Sequence, residues 1–288
     1  MTETLTSTAA LSPAPTETLT STAALSPAPT ETLTSTAALS PAPTETLDRR
    51  RLALWAGLSY VALFLLAVFA NFAVRERLVD QDDPAATVAN LADAQQLVRF
   101  AIVAFLVVFL LDVFVAWALY HLFRPAGTAL SALTAWFRIV YTVFLGVALV
   151  FLYAVLQLVG GDPGNGAGGG AAEAAAGLDQ GTIEAATMLS LDAFNATWLV
   201  GLAAFGVHLI LIGIMIVRSG MAHRLLGLVL AVAGAAYIFD TGAYTLLDDY
   251  QANADVFTAI VAGPAVIAKA AFTIWLLAFA AKDQRRGR

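Results

Sequence analysis

Hydrophobic positions along this chain fall into six long runs separated by short polar segments. The runs cover residues 52–74, 100–122, 130–159, 193–217, 225–247 and 256–281. About 20 apolar residues are enough for a helix to cross a bilayer. Each run predicts a spanning helix, because it lacks barrel-type alternation and backbone groups in lipid must be satisfied internally. We therefore expect an all-α integral membrane protein, a six-transmembrane-helix bundle.

The first 47 residues have a different pattern. The segment TETLTSTAALSPAP occurs three times without change, starting at Thr2, Thr16 and Thr30. Such a segment cannot bury enough apolar surface to offset the entropy lost on ordering. We predict a disordered low-complexity tail over residues 1–47 and a transmembrane domain over 48–288. The tail is interpreted as a spacer, with a docking segment or an O-glycosylated stalk as the alternative. It lacks the features of a signal peptide.

Composition excludes several classes of function. Hydrophobic residues make up 59% and charged residues 12% of the chain, against about 25% charged in soluble proteins. The chain has no Cys and a net charge of -6, and no HExxH pattern involves His121, His208 or His223. We expect no metal, no cofactor and no nucleic-acid partner, since these need ligand sets or a basic face.

The distribution of Lys and Arg predicts the orientation. With six spans, both termini and the loops after the second and fourth spans share one side, and that side carries ten cations. The opposite loops carry three, at Arg75, Arg77 and Arg99. Because positive loops remain inside, both termini are predicted to be cytoplasmic.

Five ionisable side chains lie within the runs. They are Asp112, Arg138, His208, Asp240 and Lys269. A charge at mid-depth costs at least about 2.5 kcal/mol and normally faces the bundle interior. Counting along each run from the nearest predicted cytoplasmic cation places Asp112, Arg138, His208 and Lys269 roughly 15 to 21 Å deep, near the midplane. Asp240, at roughly 24 Å, belongs to the outer half.

The matched depths predict contacts. Pro125 lies midway along the sequence between Asp112 and Arg138, so the hairpin between the second and third spans should bring these two residues into an ion pair. That pair is either a structural device that fixes the register or a substrate or proton site. Lys269 and Asp240 form a second, weaker predicted pair. His208 is either a neutral packed imidazole or a group suited to proton traffic.

Two local patterns predict further structure. Asp83 followed by Pro84 is typical of a helix start, and we expect that helix to run on into the second span. Gly227, Ala231 and Ala235 recur every four residues, which indicates a face for close helix contact.

Five segments together resemble a known family. They are DVFVAWALYHLFRP from Asp112, TAWFRIVYTVFLG from Thr134, FGVHLILIGIMIVRSG from Phe205, RLLGLVLAVAGAAYIFD from Arg224 and IWLL from Ile274. Their order and spacing resemble domain of unknown function 4386, over about residues 52–281. The resemblance implies a small multi-pass protein of the prokaryotic cytoplasmic membrane with no established activity.

The resemblance also implies recurring polar positions, which fall on Asp112, Arg138, His208 and Asp240. The chain departs from the family pattern at Lys269, where Glu is usual, and at His223, where Pro is usual. The sign reversal at Lys269 balances the buried charges, which favours a structural role over ion conduction.

Three functions follow from these residues. The first is a non-enzymatic membrane protein whose polar midplane layer stabilises the bundle and lines a ligand cavity. The second is a proton-coupled or small-solute transporter that uses His208 and Asp240. The third, a membrane-embedded enzyme, lacks a nucleophile and base at hydrogen-bonding spacing, so no catalytic residue is named. The expected partner is the lipid bilayer, with a helix-mediated homo-oligomer or another membrane protein as additional candidates; no small-molecule ligand is identified.

Overall fold

Residues 48–71, 76–160 and 177–281 are described by the computed structural model. Within these ranges all regular structure is helical. The helices longer than one turn are α1 (Arg49–Ala70), α2 (Pro84–Asp93), α3 (Gln95–Phe123), α4 (Thr128–Val159), α5 (Gln180–Ser219), α6 (Arg224–Leu246) and α7 (Ala254–Ala281). All except α2 are long and apolar enough to cross a membrane. The six-helix fold class is confirmed, whereas the prediction for residues 1–47 lies outside the described ranges.

Helix α5 begins well before the apolar run that predicted it. It starts at Gln180 because the Asp179 side chain caps it, accepting hydrogen bonds from Thr182 N at 3.1 Å and Thr182 Oγ1 at 2.6 Å. The Thr182 hydroxyl, followed by the backbone N–H, lowers the pKa of Asp179. The helix ends where Gly220 adopts a left-handed conformation with φ +62°. Its 40 residues extend roughly 60 Å, about twice the hydrocarbon thickness.

The helix that starts after Asp83 does not run on into the second span. Asp83 Oδ1 accepts a hydrogen bond from Ala86 N at 2.9 Å, with Pro84 as the first helical residue. The chain then breaks at Ala94, where φ is -105° and ψ is 24°. The Ala94 N–H closes α2 on Asn90 O, and the Ala94 carbonyl accepts the first bond of α3 from Val98 N at 3.1 Å. The prediction of one continuous helix was therefore wrong at this residue.

The six spanning helices pack as a closed ring. Each contacts its neighbours in chain order, and α1 also packs against α7, which closes the ring. The contacts of α5 with α4 and α6 are the most extensive, and α2 packs beside α4 and α5. Side chains that point inward from the six helices therefore meet at a common centre.

Two glycine pairs bring α5 and α6 into backbone contact. Gly206 lies against Gly234, and Gly213 against Gly227; a Cβ on Gly206 would lie 2.5 Å from the Gly234 carbonyl oxygen. Small residues permit this approach in membrane helices. The predicted small face is correct at Gly227 but wrong at Ala235, which is exposed. The tight contacts recur at the heptad spacing, so Gly234 takes the place predicted for Ala235.

One end of the ring is held by Arg49. Its Nη2 donates to the Leu122 carbonyl oxygen at 3.2 Å and lies 3.3 Å from Met221 Sδ. These two contacts bring together the start of α1, the end of α3 and the turn between α5 and α6. We call it the arginine end; the turn between α6 and α7 lies at the opposite end.

Candidate functional site

Arg138 is the centre of the site. It lies on α4 with 1% of its surface exposed. Its Nη2 forms an ion pair with Asp112 Oδ1 on α3. Its Nη1 donates to Tyr60 OH on α1 at 2.7 Å and lies 3.3 Å from His208 Nε2 on α5. We call Tyr60, Asp112, Arg138 and His208 the midplane cluster; through it one guanidinium joins four helices.

The Asp112–Arg138 contact has the partners that the hairpin symmetry predicted. Asp112 lies about three turns before the end of α3, and Arg138 lies about three turns after the start of α4. Because the two helices are joined by a short turn, the two side chains reach similar depth. A buried carboxylate and guanidinium satisfy each other's charge, which lowers the cost of holding either in hydrocarbon.

Both ring nitrogens of His208 are occupied. Its Nδ1 lies 2.8 Å from the Thr134 carbonyl oxygen, which can only accept, so Nδ1 carries the hydrogen. Its Nε2 faces a guanidinium that can only donate. The imidazole is therefore neutral and held in one tautomer. Of the two predicted roles, the contacts match the packed neutral imidazole.

Further contacts connect the cluster to α6 and α7 through Phe205 on α5, Tyr237 on α6 and Lys269 on α7. Lys269 Nζ donates to Tyr237 OH at 2.8 Å. The Phe205 ring has two cations near its face: Arg138 Cζ is 5.6 Å and Lys269 Nζ 5.3 Å from its centroid. Such distances are within the range of cation–π attraction. With these contacts, all six spanning helices contribute a side chain to the midplane.

Lys269 and Asp240 do not form the predicted ion pair. Lys269 bonds to the Tyr237 phenol instead, and Asp240 Oδ1 accepts from Tyr250 OH at 2.9 Å. Tyr237 lies one turn before Asp240 on α6, roughly 4.5 Å nearer the arginine end. The phenol reaches the ammonium, whereas the carboxylate is held by Tyr250. The prediction therefore named the wrong residue of α6 as the partner of Lys269.

Asp240 belongs to a separate group near the opposite end. Tyr250 donates to it and stacks on Phe257 with ring centroids 4.7 Å apart, while Tyr244 meets Tyr250 edge-on at 5.2 Å. We call Asp240, Tyr244, Tyr250 and Phe257 the outer cluster. Burial, then the hydrogen bond to Asp240, raises the pKa of the Tyr250 phenol. Asp240 therefore helps to fasten the α6–α7 turn to the end of α6.

Sequence reasoning missed the neutral partners of the cluster. Tyr60, Phe205 and Tyr237 are ordinary residues in apolar runs, so their presence alone gives no signal. Depth would have identified two of them, since Tyr60 lies about three turns after the start of α1 and Tyr237 about three and a half turns after the start of α6. In the described ranges, no three His, Asp or Glu side chains converge as a metal site.

Comparison with known proteins agrees with these observations. Residues 55–280, which include every member of both clusters, match the family described as domain of unknown function (DUF4386). The chain belongs to this family. That match confirms the resemblance seen in the sequence and assigns no activity.

One relative is an uncharacterized protein of Archaeoglobus fulgidus. It is 28% identical over 141 residues, which cover 49% of this chain and 65% of the archaeal protein. The matched region therefore spans less than two thirds of that relative's length. No solved structure matches the chain.

Proposed function

We propose that this chain is a non-enzymatic protein of the prokaryotic cytoplasmic membrane, with both termini cytoplasmic and the bilayer as its partner. Its buried polar layer stabilises the six-helix bundle and lines a ligand cavity. The observation that carries the proposal is the set of contacts of Arg138, which link α4 to α1, α3 and α5.

An unpaired charge in the bilayer core has a high energetic cost. An isolated Arg or Asp at mid-bilayer costs at least about 2.5 kcal/mol on insertion scales. Here Arg138 has an acceptor on each of three other helices. Separating any of these helices would leave a buried donor without its partner, which costs about 1–3 kcal/mol or more for charged groups. The layer therefore favours one arrangement of helices over other packings.

The state of His208 supports a non-enzymatic role. A general base needs a free lone pair within reach of a substrate proton. The imidazole of the midplane cluster uses Nδ1 as a donor to Thr134 O and Nε2 as an acceptor from Arg138. A base whose lone pair is held by a guanidinium is poorly placed for proton abstraction.

The transporter alternative uses His208 and Asp240 as a proton path. In the described ranges, the contacts of these two residues do not meet: His208 bonds to Thr134 and Arg138, and Asp240 bonds to Tyr250. A relay through them needs a further group or a rearrangement of both sites. We therefore rank this function second.

A double-mutant cycle tests the stabilising role. We expect Asp112→Leu and Arg138→Met, made singly, each to lower the unfolding free energy by about 3–5 kcal/mol, because each leaves a buried charge unpaired. The double variant should regain most of that loss. Unfolding in a mild detergent, followed by far-UV circular dichroism, measures each term.

Two other outcomes of the double-mutant cycle would contradict the proposed role of the pair. If the losses of the two single variants simply add in the double variant, the pair does not act as a unit. If neither single variant lowers the unfolding free energy, the proposed layer does not stabilise the bundle. The orientation has a separate test, in which a reporter that functions only in the cytoplasm is fused after Arg288. We expect this reporter to be active.

A further inference from the structure

Among the described residues, the midplane has two basic side chains, Arg138 and Lys269, and one carboxylate, Asp112. Arg138 has Asp112 as its counter-ion. Lys269 has the Tyr237 phenol and the Phe205 ring around it, and in the described part of the chain no carboxylate lies within ion-pair distance of it. Asp240 is held by Tyr250. Among the residues that the structure describes, one cation near the middle of the membrane is therefore without an anionic partner, an arrangement that costs free energy unless an anion is supplied.

Hydrogen-bond donors are also in excess. Lys269 offers three N–H donors, and its hydrogen-bond acceptor in the described chain is Tyr237 OH. Arg138 Nε is buried and has no hydrogen-bond partner within the described ranges. Phe205 lies beside both basic side chains, with its centroid 5.6 Å from Arg138 Cζ and 5.3 Å from Lys269 Nζ. A ligand group with a single negative charge and hydrogen-bond acceptors would complement the ammonium of Lys269.

Lys269 lies at the boundary between the bundle interior and the lipid. Its neighbours Ala265, Ala268 and Phe272 form the buried face of α7. Lys269 itself is half-buried, and Val266 and Ile267 are 52% and 61% exposed. Roughly 20 Å separates this level from the predicted cytoplasmic cations. A ligand that arrives through the hydrocarbon can reach the ammonium at this boundary, and it needs an apolar body to travel there.

We propose that Lys269, supported by Tyr237 and the Arg138 region, binds the carboxylate of a long-chain fatty acid supplied by the bilayer. The carboxylate provides the missing negative charge and accepts the spare hydrogen bonds, while its chain lies against the apolar side of α7. The inference rests on the proposed ligand-lining function and names its ligand class.

The test uses the full chain in phosphatidylcholine nanodiscs with palmitate labelled with 13C at the carboxyl. We expect a saturable carboxyl resonance that is distinct from that of palmitate in protein-free discs. Lys269→Met should weaken binding about tenfold or more, since a charge-assisted contact is lost. Lys269→Arg should retain binding. The matched control is Lys282→Met, which removes the chain's other lysine and should leave the resonance unchanged.

Three further arms identify the source of the carboxylate. Labelled acetate tests a small soluble anion, methyl palmitate as a competitor tests the chain without its charge, and discs with phosphatidylglycerol test an anionic headgroup. None of them should give the resonance or displace palmitate. Displacement by any of them, absence of a bound resonance, or its persistence in Lys269→Met would overturn the proposal.

The failure of this proposal is distinguishable from failure of the proposed function. Absence of palmitate binding, together with a recovered double variant of Asp112 and Arg138, would remove the ligand and leave the stabilising layer intact. Unchanged stability of the single variants of Asp112 and Arg138, together with palmitate binding, would remove the stabilising layer and leave the ligand. Thermal unfolding of Lys269→Met should match that of the natural chain; if it falls, the Lys269→Arg variant decides whether the charge or the fold was lost.

Discussion

The midplane cluster and the outer cluster each contain a buried aspartate, but they hold it in different ways. Asp112 contacts a guanidinium 26 residues away, which in turn reaches residues on two further helices. Asp240 contacts Tyr250, ten residues along the chain at the next turn. One carboxylate pairs with a guanidinium that joins four helices, whereas the other fastens one loop. Residue type and burial alone therefore do not reveal how much of a membrane fold depends on a charge.

The largest expected effect comes from removing each carboxylate in turn. Asp112→Asn should lower the unfolding free energy by about 3–5 kcal/mol, because Arg138 would remain buried without a counter-ion. Asp240→Asn should cost less than about 1 kcal/mol, because the amide oxygen still accepts from the Tyr250 hydroxyl. Chemical unfolding in detergent measures both losses, and equal losses would abolish the distinction between the clusters.

An intermediate effect is expected where α5 meets α6. Gly206→Ala places a methyl group 2.5 Å from the Gly234 carbonyl oxygen. The helices must separate next to Phe205, and we expect a loss of about 1–3 kcal/mol. Gly242→Ala is the matched control on α6, because its Cβ would meet nothing within 4 Å. Thermal unfolding of both variants checks the effect. Unchanged stability of Gly206→Ala would show that α5 and α6 can separate here at little energetic cost.

The smallest effect is expected from a single neutral partner. Tyr60→Phe removes the oxygen that accepts from Arg138 at 2.7 Å and keeps the ring that packs edge-on against Phe272. We expect a loss of about 1–2 kcal/mol. Tyr153→Phe, at a residue 38% exposed, is the control and should change stability by less than about 0.5 kcal/mol. Equal values would mean that Arg138 is fully satisfied without α1.

The sequence predicted the features that depend on one chain segment. Hydropathy predicted six spanning helices, since lipid requires each helix to satisfy its own backbone. Hairpin symmetry predicted the partners Asp112 and Arg138, since both count their depth from one short turn. The Lys269–Asp240 prediction failed because a neutral residue one turn earlier on α6, Tyr237, accepts the hydrogen bond of the ammonium.

Other features depend on how distant helices are placed. The contact of Gly206 with Gly234 needs the register of α5 against α6, and the four-residue repeat on α6 selected Ala235 instead of Gly234. Tyr60 joins the cluster from the first spanning helix, 78 residues before Arg138 in the sequence. Neutral aromatic residues have no cost in lipid that would mark them in the sequence. Such partners become visible only when the helices are assembled.

The closed ring affects the order in which the helices can pack while the protein is being made. Chains are made from the N-terminus, and the short turn between α3 and α4 allows Asp112 and Arg138 to enter the membrane together as a nearly neutral hairpin. The α1–α7 contact joins the first spanning helix to the last. The side of α1 that packs against α7 in the finished protein is therefore exposed to lipid, or to an insertion factor, until synthesis is almost complete.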